Sequence, residues 1–362
     1  MESFRRYSNK IISLTSLESY RFQMELLDKD QFIFYLKDAI NLIDEAVSLG
    51  KELAEKNFNK LVFVGCGAPY RIMSSITYWI EKKCTQIRIF SYYPAELINQ
   101  DPSFIDDHTV VILGSYSGTT QEIVEAAKFC SKKTCYTLGI TRLADSPLSL
   151  NVQRTLLFGD TKLGDYSRFI VTSALVSGFL VAFEPENWDI HDKLLSSLQN
   201  LPEALFSAVE QTEQQIMEVT KQIASKKSMF VIGAGPMFHT AYMLAFNSFM
   251  EMQWIHVTPI PAAEFFHGPH ELVDVDFPVI NFIDETDHRG EAERVKRFGE
   301  NYCGGFINFD SKDYELQGID AVIRPYFSAI VLDAATRRFM DYFAEATGHD
   351  KSIRRYMGQV EY

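Results

Sequence analysis

The 362-residue sequence has few cysteines and no excess of basic residues. No apolar run approaches the length of a membrane span, and the opening MESFRRYSNKIISL lacks the apolar core and cleavage site of a signal peptide. We therefore expect a cytoplasmic protein with no membrane partner. The cysteines are odd in number, are scattered without metal-ligand spacing and are predicted to be reduced, mostly buried thiols: Cys66, Cys84, Cys130, Cys135 and Cys303.

Acidic residues also outnumber basic ones, with 48 Asp and Glu against 35 Lys and Arg, so the formal net charge is −13. No basic stripe offsets it, which argues against nucleic acid as a partner. A negative surface repels phosphate groups at long range. A phosphate site would therefore have to be built from local backbone N–H groups and a few cations.

The stretch from Val110 to Glu122, VVILGSYSGTTQE, has the features of an anion site. Its apolar run predicts a strand buried on both faces of a parallel sheet. A loop with two Gly, two Ser and two Thr follows, and a helix begins directly after it. Free N–H groups and the helix dipole favour a phosphate, and hydroxyls can complete its shell. The loop lacks the signatures of Walker and dinucleotide loops, so it suits a phosphate monoester; the alternative is a Ser-rich turn that only caps its helix.

Repeated βα units predict an α/β protein with doubly wound parallel sheets. A helix is expected over residues 31–56, with a further short helix in the preceding LESYRFQMELL. This arm packs either across a partner subunit or on its own domain. In the first half we predict strands at 59–67, 87–92 and 136–141, helices at 71–83 and 168–183, and a loop at 156–167.

The second half repeats the first. After a predicted helix pair at 194–225, MFVIGAG (229–235) matches LVFVGCG (61–67). The strand FPVINFI (277–283) takes the place of the strand before the Ser/Thr loop, but the acidic sequence DETDHRGE follows it. We therefore expect an internal duplication in which only the first loop binds phosphate.

Two titratable residues in the second half could carry acid–base chemistry. Glu251 follows a strongly apolar helix, and Met and Trp neighbours would desolvate its carboxylate and make it a stronger base. His267, in the turn EFFHGP, suits proton transfer near neutral pH. Structural roles, a salt bridge for Glu251 and helix capping for His267, are the alternatives. Zinc binding by a cluster is a further option, although the His-Gly-Pro turn breaks regular ligand spacing: His256, Glu264, His267 and His270.

These segments resemble the SIS (sugar isomerase) family. The loop GSYSGTTQE marks the superfamily, and the layout is similar to the isomerase domain of glucosamine-6-phosphate synthase. MEMQWIH, EFFHGPHE and RRYMGQVEY resemble the fructoselysine-, glucoselysine- and fructose-asparagine-6-phosphate deglycases. The resemblance implies two flavodoxin-like SIS domains with a helical N-terminal extension. We expect an arm at 1–50, domains at 51–185 and 186–345, and a tail at 346–362 over the active site.

The resemblance also implies roles for individual residues. Glu251 would be the base and His267 the acid, with no metal and no cofactor. Homodimers with active sites at the subunit interface are expected, with His267 reaching in from the partner. The phosphate-loop residues and the neighbours of the sugar would be Ser115, Tyr116, Ser117, Thr120, Gly67 and Ala68.

One departure from the family pattern favours a deglycase. In the glucosamine synthase, a lysine near the C-terminus helps to open the sugar ring. The matching position here is about Gly358, and no Lys follows Lys351. An isomerase or aminating enzyme is therefore disfavoured, and a non-catalytic sugar-phosphate sensor would not need the Glu251–His267 pair. Arg354 and Arg355 either close over the substrate or pair with surface carboxylates.

Overall fold

The computed structural model describes residues 28–361 and confirms an α/β protein with two parallel sheets. The short helix predicted in LESYRFQMELL lies outside the described residues. The five-stranded sheet has the order β2-β1-β3-β4-β5, and the four-stranded sheet has the order β7-β6-β8-β9. Strands β6 to β9 thus repeat the arrangement of β1 to β4, as expected if the second half repeats the first.

The elements follow one another in βα alternation after two N-terminal helices. In the first half they are α1 (Lys29–Asn41), α2 (Ile43–Glu55), β1 (Lys60–Val64), α3 (Gly67–Lys83), β2 (Arg88–Tyr92), α4 (Pro94–Gln100), β3 (Thr109–Gly114), α5 (Gln121–Cys130), β4 (Tyr136–Thr141), β5 (Arg154–Leu157) and α6 (Gly164–Phe183). In the second half they are α7 (His191–Ile223), β6 (Ser228–Gly233), α8 (Met237–Tyr242), a π-helix (Met243–Met250), α9 (Glu251–Gln253), β7 (His256–Pro261), α10 (Ala262–Phe265), β8 (Pro278–Ile283), α11 (Arg289–Tyr302), β9 (Gly305–Asp310), α12 (Arg324–Thr336) and α13 (Phe339–Thr347).

The central strands are the ones that the apolar runs predicted. Every residue of β1, β3 and β8 is buried, as expected for strands covered by helices on both faces. Strand β5 lies at a sheet edge and consists of Arg154–Leu157. The predicted loop at 156–167 was therefore wrong at its first two residues. The loop also ends early, because α6 begins at Gly164 and not at residue 168.

Three predicted helices differ from the observed ones. The helix expected over 31–56 is two helices separated at Leu42. The helix expected at 71–83 already begins at Gly67. The predicted pair at 194–225 is one helix of 33 residues that continues through Pro202, because the fully buried Leu198 and Leu205 hold it on both sides of the proline.

Helix α6 is the centre of the core that joins the two halves. It packs against α2 of the N-terminal arm so closely that no Cβ fits at the crossing: a Cβ on Gly50 would lie 2.2 Å from Leu175 O, and one on Gly178 would lie 2.3 Å from Val47 O. The described part of the arm therefore packs on its own chain. The predicted boundaries after residues 50 and 345 fall inside α2 and α13.

Helix α6 also corrects the expectation about apolar runs. Within residues 28–361 it is the one helix whose length and composition would suffice to cross a membrane. Its most apolar window is 83% buried inside the protein, which is typical of a core helix.

Candidate active site

The Ser/Thr loop lies at the carboxyl edge of the first sheet, where the strand order reverses. β1 and β3 are parallel neighbours, with Val64 opposite Leu113. The next strand after β1 lies on one side of this pair, and the next strand after β3 lies on the other. Ligands of doubly wound sheets bind in the crevice at such a point. The loops that follow β1 and β3 therefore adjoin at this crevice.

The hydroxyls of the loop are bonded to the loop itself. Ser115 is buried, accepts a hydrogen bond from Gly118 N at 3.0 Å and lies 3.1 Å from Thr120 Oγ1. Ser117 Oγ accepts from Thr119 N and Oγ1 at 3.2 and 2.8 Å. Thr120 stands at the N-cap of α5, but its side chain makes no capping hydrogen bond. The interpretation as a simple cap is thus not supported at Thr120, and the first N–H groups of α5 have no partners within the helix.

Tyr116 connects this loop to the start of α6. Its hydroxyl donates to Thr161 O, and Arg142 lies 4.9 Å above its ring. The ring also packs against Gly164, where a Cβ would come within 2.4 Å of it. The contacts of Tyr116 in the structure are therefore with protein groups that hold the loop in place.

Glu251 follows the π-helix, an unusual element that is frequent at functional sites. Its Oε1 accepts hydrogen bonds from Arg354 Nε at 3.1 Å and Nη2 at 2.8 Å. The Glu251 side chain is 22% exposed. Three residues later Trp254 ends the helix with a φ of +57°, a conformation that is strained for a bulky residue.

A cleft of about 680 Å³, here called the Glu251 cleft, joins the two halves. Gly67, from the loop after β1, and Glu251 both line it. The C-terminal tail forms a further wall from Arg354 to Met357, and Arg355 lies 3.9 Å above the Trp254 ring. The tail thus borders this cleft. Ala68 lines a second cavity that shares Asn247 with the cleft.

His267 is not among the residues that line the Glu251 cleft. It is exposed and follows α10, beyond the end of β7, whereas His256 lines the cleft at the beginning of that strand. A six-residue strand spans roughly 17 Å at about 3.3 Å per residue. Within one chain, Glu251 and His267 therefore lie near opposite edges of the second sheet.

The other titratable candidates have less support. Within residues 28–361, no three His, Cys, Asp or Glu side chains are grouped as a metal site would require. The residues proposed to bind zinc lie at opposite ends of β7. His256 is the first residue of this strand, whereas Glu264 and His270 follow its last residue. All five cysteines are free; two are buried and three are partly buried. Burial raises the pKa of the Cys66 thiol to about 11, so this neighbour of Gly67 is not a nucleophile at neutral pH.

Sequence reasoning missed one residue of this site, Asn247, and the contact that Arg354 makes. Arg354 was noted in the tail, but nothing in the sequence indicated that its partner is Glu251. Asn247 lies one turn before Glu251 in the apolar π-helix, and an isolated polar residue in such a segment is a signal that could have found it.

Comparison with known proteins shows which family and fold this chain shares. The SIS domain family model matches residues 52–157. Fructosamine deglycase FrlB of Bacillus subtilis (strain 168) is 30% identical over 314 residues, which are 86% of this chain and 95% of that protein. Fructoselysine 6-phosphate deglycase of Escherichia coli (strain K12) is 22% identical over 86% of this chain and 89% of its own length. A crystal structure of a Bacillus subtilis protein provisionally named a phosphosugar isomerase covers 90% of this chain and 100% of its own, with a TM-score of 0.82 and 28% identity. The chain belongs to the SIS-domain family, which includes the Bacillus fructosamine deglycase.

Proposed function

We propose that this protein is a sugar-phosphate deglycase. Its substrate would be a hexose 6-phosphate that carries an amino acid on C1 or C2 through an amine, and its products the hexose 6-phosphate and the free amino acid. The observation that carries the proposal is the shared cleft: Gly67, beside the Ser/Thr loop, and Glu251 line one cavity. The names of the deglycase relatives support the same reaction class.

The phosphate would dock at the switch point of the first sheet. Ser115, Ser117 and Thr120 supply hydroxyls, and the first turn of α5 supplies N–H groups and the positive end of a dipole. In this proposal Gly67 and Ala68 lie beside the sugar, and Tyr116 holds the loop. Fixing the phosphate places the open-chain sugar against Glu251 and so lowers the entropic part of the barrier.

Glu251 would then remove the proton from the carbon that bears nitrogen, which gives an enaminol. Reprotonation at the neighbouring carbon gives an imine, water adds to the imine carbon, and the C–N bond breaks as the amine leaves with a proton. The substrate's own carbonyl and amine delocalise the charge. His267 would transfer protons at the sugar oxygens or at the departing amine.

His267 would come from a second copy of the chain. Its exposed position, roughly the length of β7 away from the Glu251 cleft, supports a homodimer in which each site is completed by the other subunit. Arg354 would orient the carboxylate through its two hydrogen bonds to Oε1.

The direct experiment offers a phosphorylated lysine or asparagine adduct and assays hexose 6-phosphate and free amino acid. Glu251→Gln should lose most turnover while keeping phosphate affinity, because acid–base groups contribute roughly 100- to 10,000-fold. Glu300→Gln removes an exposed carboxylate that pairs with Lys296 at 3.8 Å, and it serves as the control. Activity of Glu251→Gln above about a tenth of the wild type would reject the base assignment. Interconversion of hexose 6-phosphates without amine release would instead indicate an isomerase, and binding without any reaction a sensor.

Subunit complementation tests the position of His267. Glu251→Gln and His267→Asn chains are each expected to be inactive. Mixed dimers contain one site with both native residues if His267 crosses the interface, so random mixing should restore about a quarter of wild-type activity. If both groups act within one chain, the mixture stays inactive.

A further inference from the structure

A second cavity, of about 390 Å³, lies directly beside the Glu251 cleft. Its volume is within the range of small-molecule pockets, about 300–1,000 Å³. The two cavities share Asn247, and consecutive residues, Gly67 and Ala68, line one and the other. A single extended molecule can therefore occupy both cavities, with Asn247 beside the point where it crosses from one cavity to the other. The segment at the start of α6 forms one wall, and the π-helix with α12 forms the other.

The lining of this cavity combines apolar side chains with charged ones from both walls. Four flexible or branched apolar side chains line it: Met243, Leu244, Met252 and Met340. The charged groups are Asp165, Asp333 and Arg337, with Lys162 and Lys351 beside them. A cavity lined by apolar side chains and by charges of both signs suits a methylene chain that ends in a zwitterion.

The two carboxylates in the wall favour a cation. Burial, followed by the neighbouring charge of Asp165, raises the pKa of Asp333 to about 7. Asp165 is held in place by Arg168 Nη1, which donates to it at 2.9 Å from a fully buried side chain. A desolvated carboxylate beside a second one is stabilised when an ammonium group binds between them.

An acceptor and a cation complete the set. Asn247 Oδ1 is buried, and no hydrogen-bond donor within the described chain reaches it. It lies where the two cavities meet, so an amine N–H at that point would satisfy it. Arg337 stands 5.3 Å above Phe32 and 5.8 Å above Tyr166 and lies near enough to Asp333 to lower the pKa of that carboxyl, but it forms no salt bridge with a residue of 28–361. Its guanidinium is suited to a carboxylate.

Building on the proposed deglycase function, we infer that this cavity binds the amino-acid part of the substrate: the linking amine at Asn247 Oδ1, a free ammonium at Asp165 and Asp333, and a free carboxylate at Arg337. The site then selects one linkage. An amino acid joined through its α-amine has no free α-ammonium. One joined through a side-chain amine keeps both the α-ammonium and the α-carboxylate at the end of a methylene chain. The preferred substrate is therefore an adduct of a diamino acid such as lysine, joined through the side-chain nitrogen.

Three ligands separate the contributions of the two end groups. We would titrate the full-length Glu251→Gln protein by calorimetry with 6-phosphorylated sugar adducts of lysine (through Nε), cadaverine and pentylamine. Cadaverine keeps the terminal ammonium without the carboxylate, and pentylamine has neither. Each lost charge should weaken binding about 10- to 100-fold, since a charged hydrogen bond contributes about 1.5–3 kcal/mol and 1.4 kcal/mol corresponds to tenfold.

Variants assign each step to its residues. Asp165→Asn and Asp333→Asn should shrink the step from pentylamine to cadaverine to less than about threefold, and Arg337→Gln should do the same to the step from cadaverine to lysine. Asp313→Asn and Arg297→Gln change exposed charges that do not line the cavity and should preserve both steps.

Equal affinity for the three adducts overturns the inference, and so do steps that survive in the Asp165, Asp333 and Arg337 variants. Turnover by the wild-type protein is a separate measurement. If no adduct releases hexose 6-phosphate, the proposed function fails while the binding steps still decide what the cavity binds. If all adducts are cleaved but bind equally, the function stands and the inference fails.

Discussion

The loops that follow β3 and β8 occupy equivalent places in two sheets of the same topology, but their contents differ. In the first loop, Ser115 and Thr120 present hydroxyls and no acidic side chain. In the second, the Asp284 carboxylate accepts from Thr286 N at 3.2 Å and Thr286 Oγ1 at 2.7 Å. The second loop therefore already contains an anion. The βα geometry alone does not make a phosphate site. The loop must also have no carboxylate of its own at the position where the phosphate would bind.

The glycines before the two helices differ in the same way. Gly67 and Gly235 both have left-handed backbones, with φ of +56° and +50°. A Cβ on Gly67 would approach only Asn247 Nδ2, at 3.4 Å, whereas one on Gly235 would lie 2.3 Å from the His288 ring. The crevice beside Gly67 is thus open toward the Glu251 cleft, while His288 fills the corresponding space in the second half.

The largest effect should come from giving the first loop the chemistry of the second. Ser117→Asp places a carboxylate beside the proposed phosphate position. Two unit charges about 4 Å apart repel by about 4 kcal/mol at an effective dielectric constant of 20, so kcat/KM for a phosphorylated adduct should fall about 1000-fold. Steady-state kinetics measures this. Ser131→Asp adds the same charge at the other end of α5 and should leave kcat/KM nearly unchanged; equal losses in both variants would show that the effect is one of net charge.

The next effect concerns stability. Gly235→Ala should lower the free energy of unfolding by about 3 kcal/mol, because a left-handed backbone costs about 1–2 kcal/mol and the clash with His288 adds to it. Gly67→Ala should cost only about 1 kcal/mol, since its Cβ meets one side-chain amide. Urea unfolding of the two variants provides the comparison. A Gly67 variant that is the less stable of the two would contradict the open crevice.

A smaller effect is expected from single hydroxyls. Thr120→Val removes one hydroxyl of the loop proposed to bind phosphate and should lower kcat/KM about tenfold, the equivalent of one hydrogen bond of about 1.4 kcal/mol. Thr286→Val removes the matching hydroxyl of the second loop and should leave kcat/KM unchanged. Kinetics on both variants tests whether only the first half of the chain binds substrate. Similar losses in the two variants would mean that both halves contribute to binding.

The smallest effect is a pH dependence in the second loop. Burial raises the pKa of Asp284 above its ordinary value, so the folded state holds this proton more tightly than the unfolded state. Stability should therefore fall as the pH rises from about 4 through the raised pKa, because the unfolded chain gives up this proton first. Asp284→Asn should flatten that part of the curve when urea unfolding is repeated between about pH 4 and 7. Parallel curves for the two proteins would show that Asp284 does not titrate differently in the two states.

The sequence predicted the central strands of each sheet and the edge strand β2, but not the edge strands β5 and β7. Strands β1, β3, β6 and β8 are apolar runs because both faces are covered, and each was recognised. Strand β5, with Arg154 and Thr155, and strand β7, with Pro259 and Pro261, lie at edges where one side is solvated and proline is tolerated. Polar residues or prolines interrupt both strands, so no unbroken apolar run marked them.

The same limit applies to the candidate site. The Ser/Thr loop and Glu251 were recognisable because each is a polar signal in an apolar setting. The pairing of Glu251 with Arg354 and the approach of Asp165 to Asp333 depend on how distant segments pack. No local periodicity encodes such contacts. The expected role of His267 stays a prediction, because one chain does not bring it to Glu251.

The most direct test of the central claim compares two substrates. The claim is that the loop after β3 grips a phosphate so that Glu251 can act on carbon. We would measure kcat/KM for the Nε-lysine adduct with and without its 6-phosphate. The account predicts that the phosphorylated adduct is preferred about 1000-fold or more, because the binding energy of the phosphate fixes the reacting carbon. A ratio near one would contradict it.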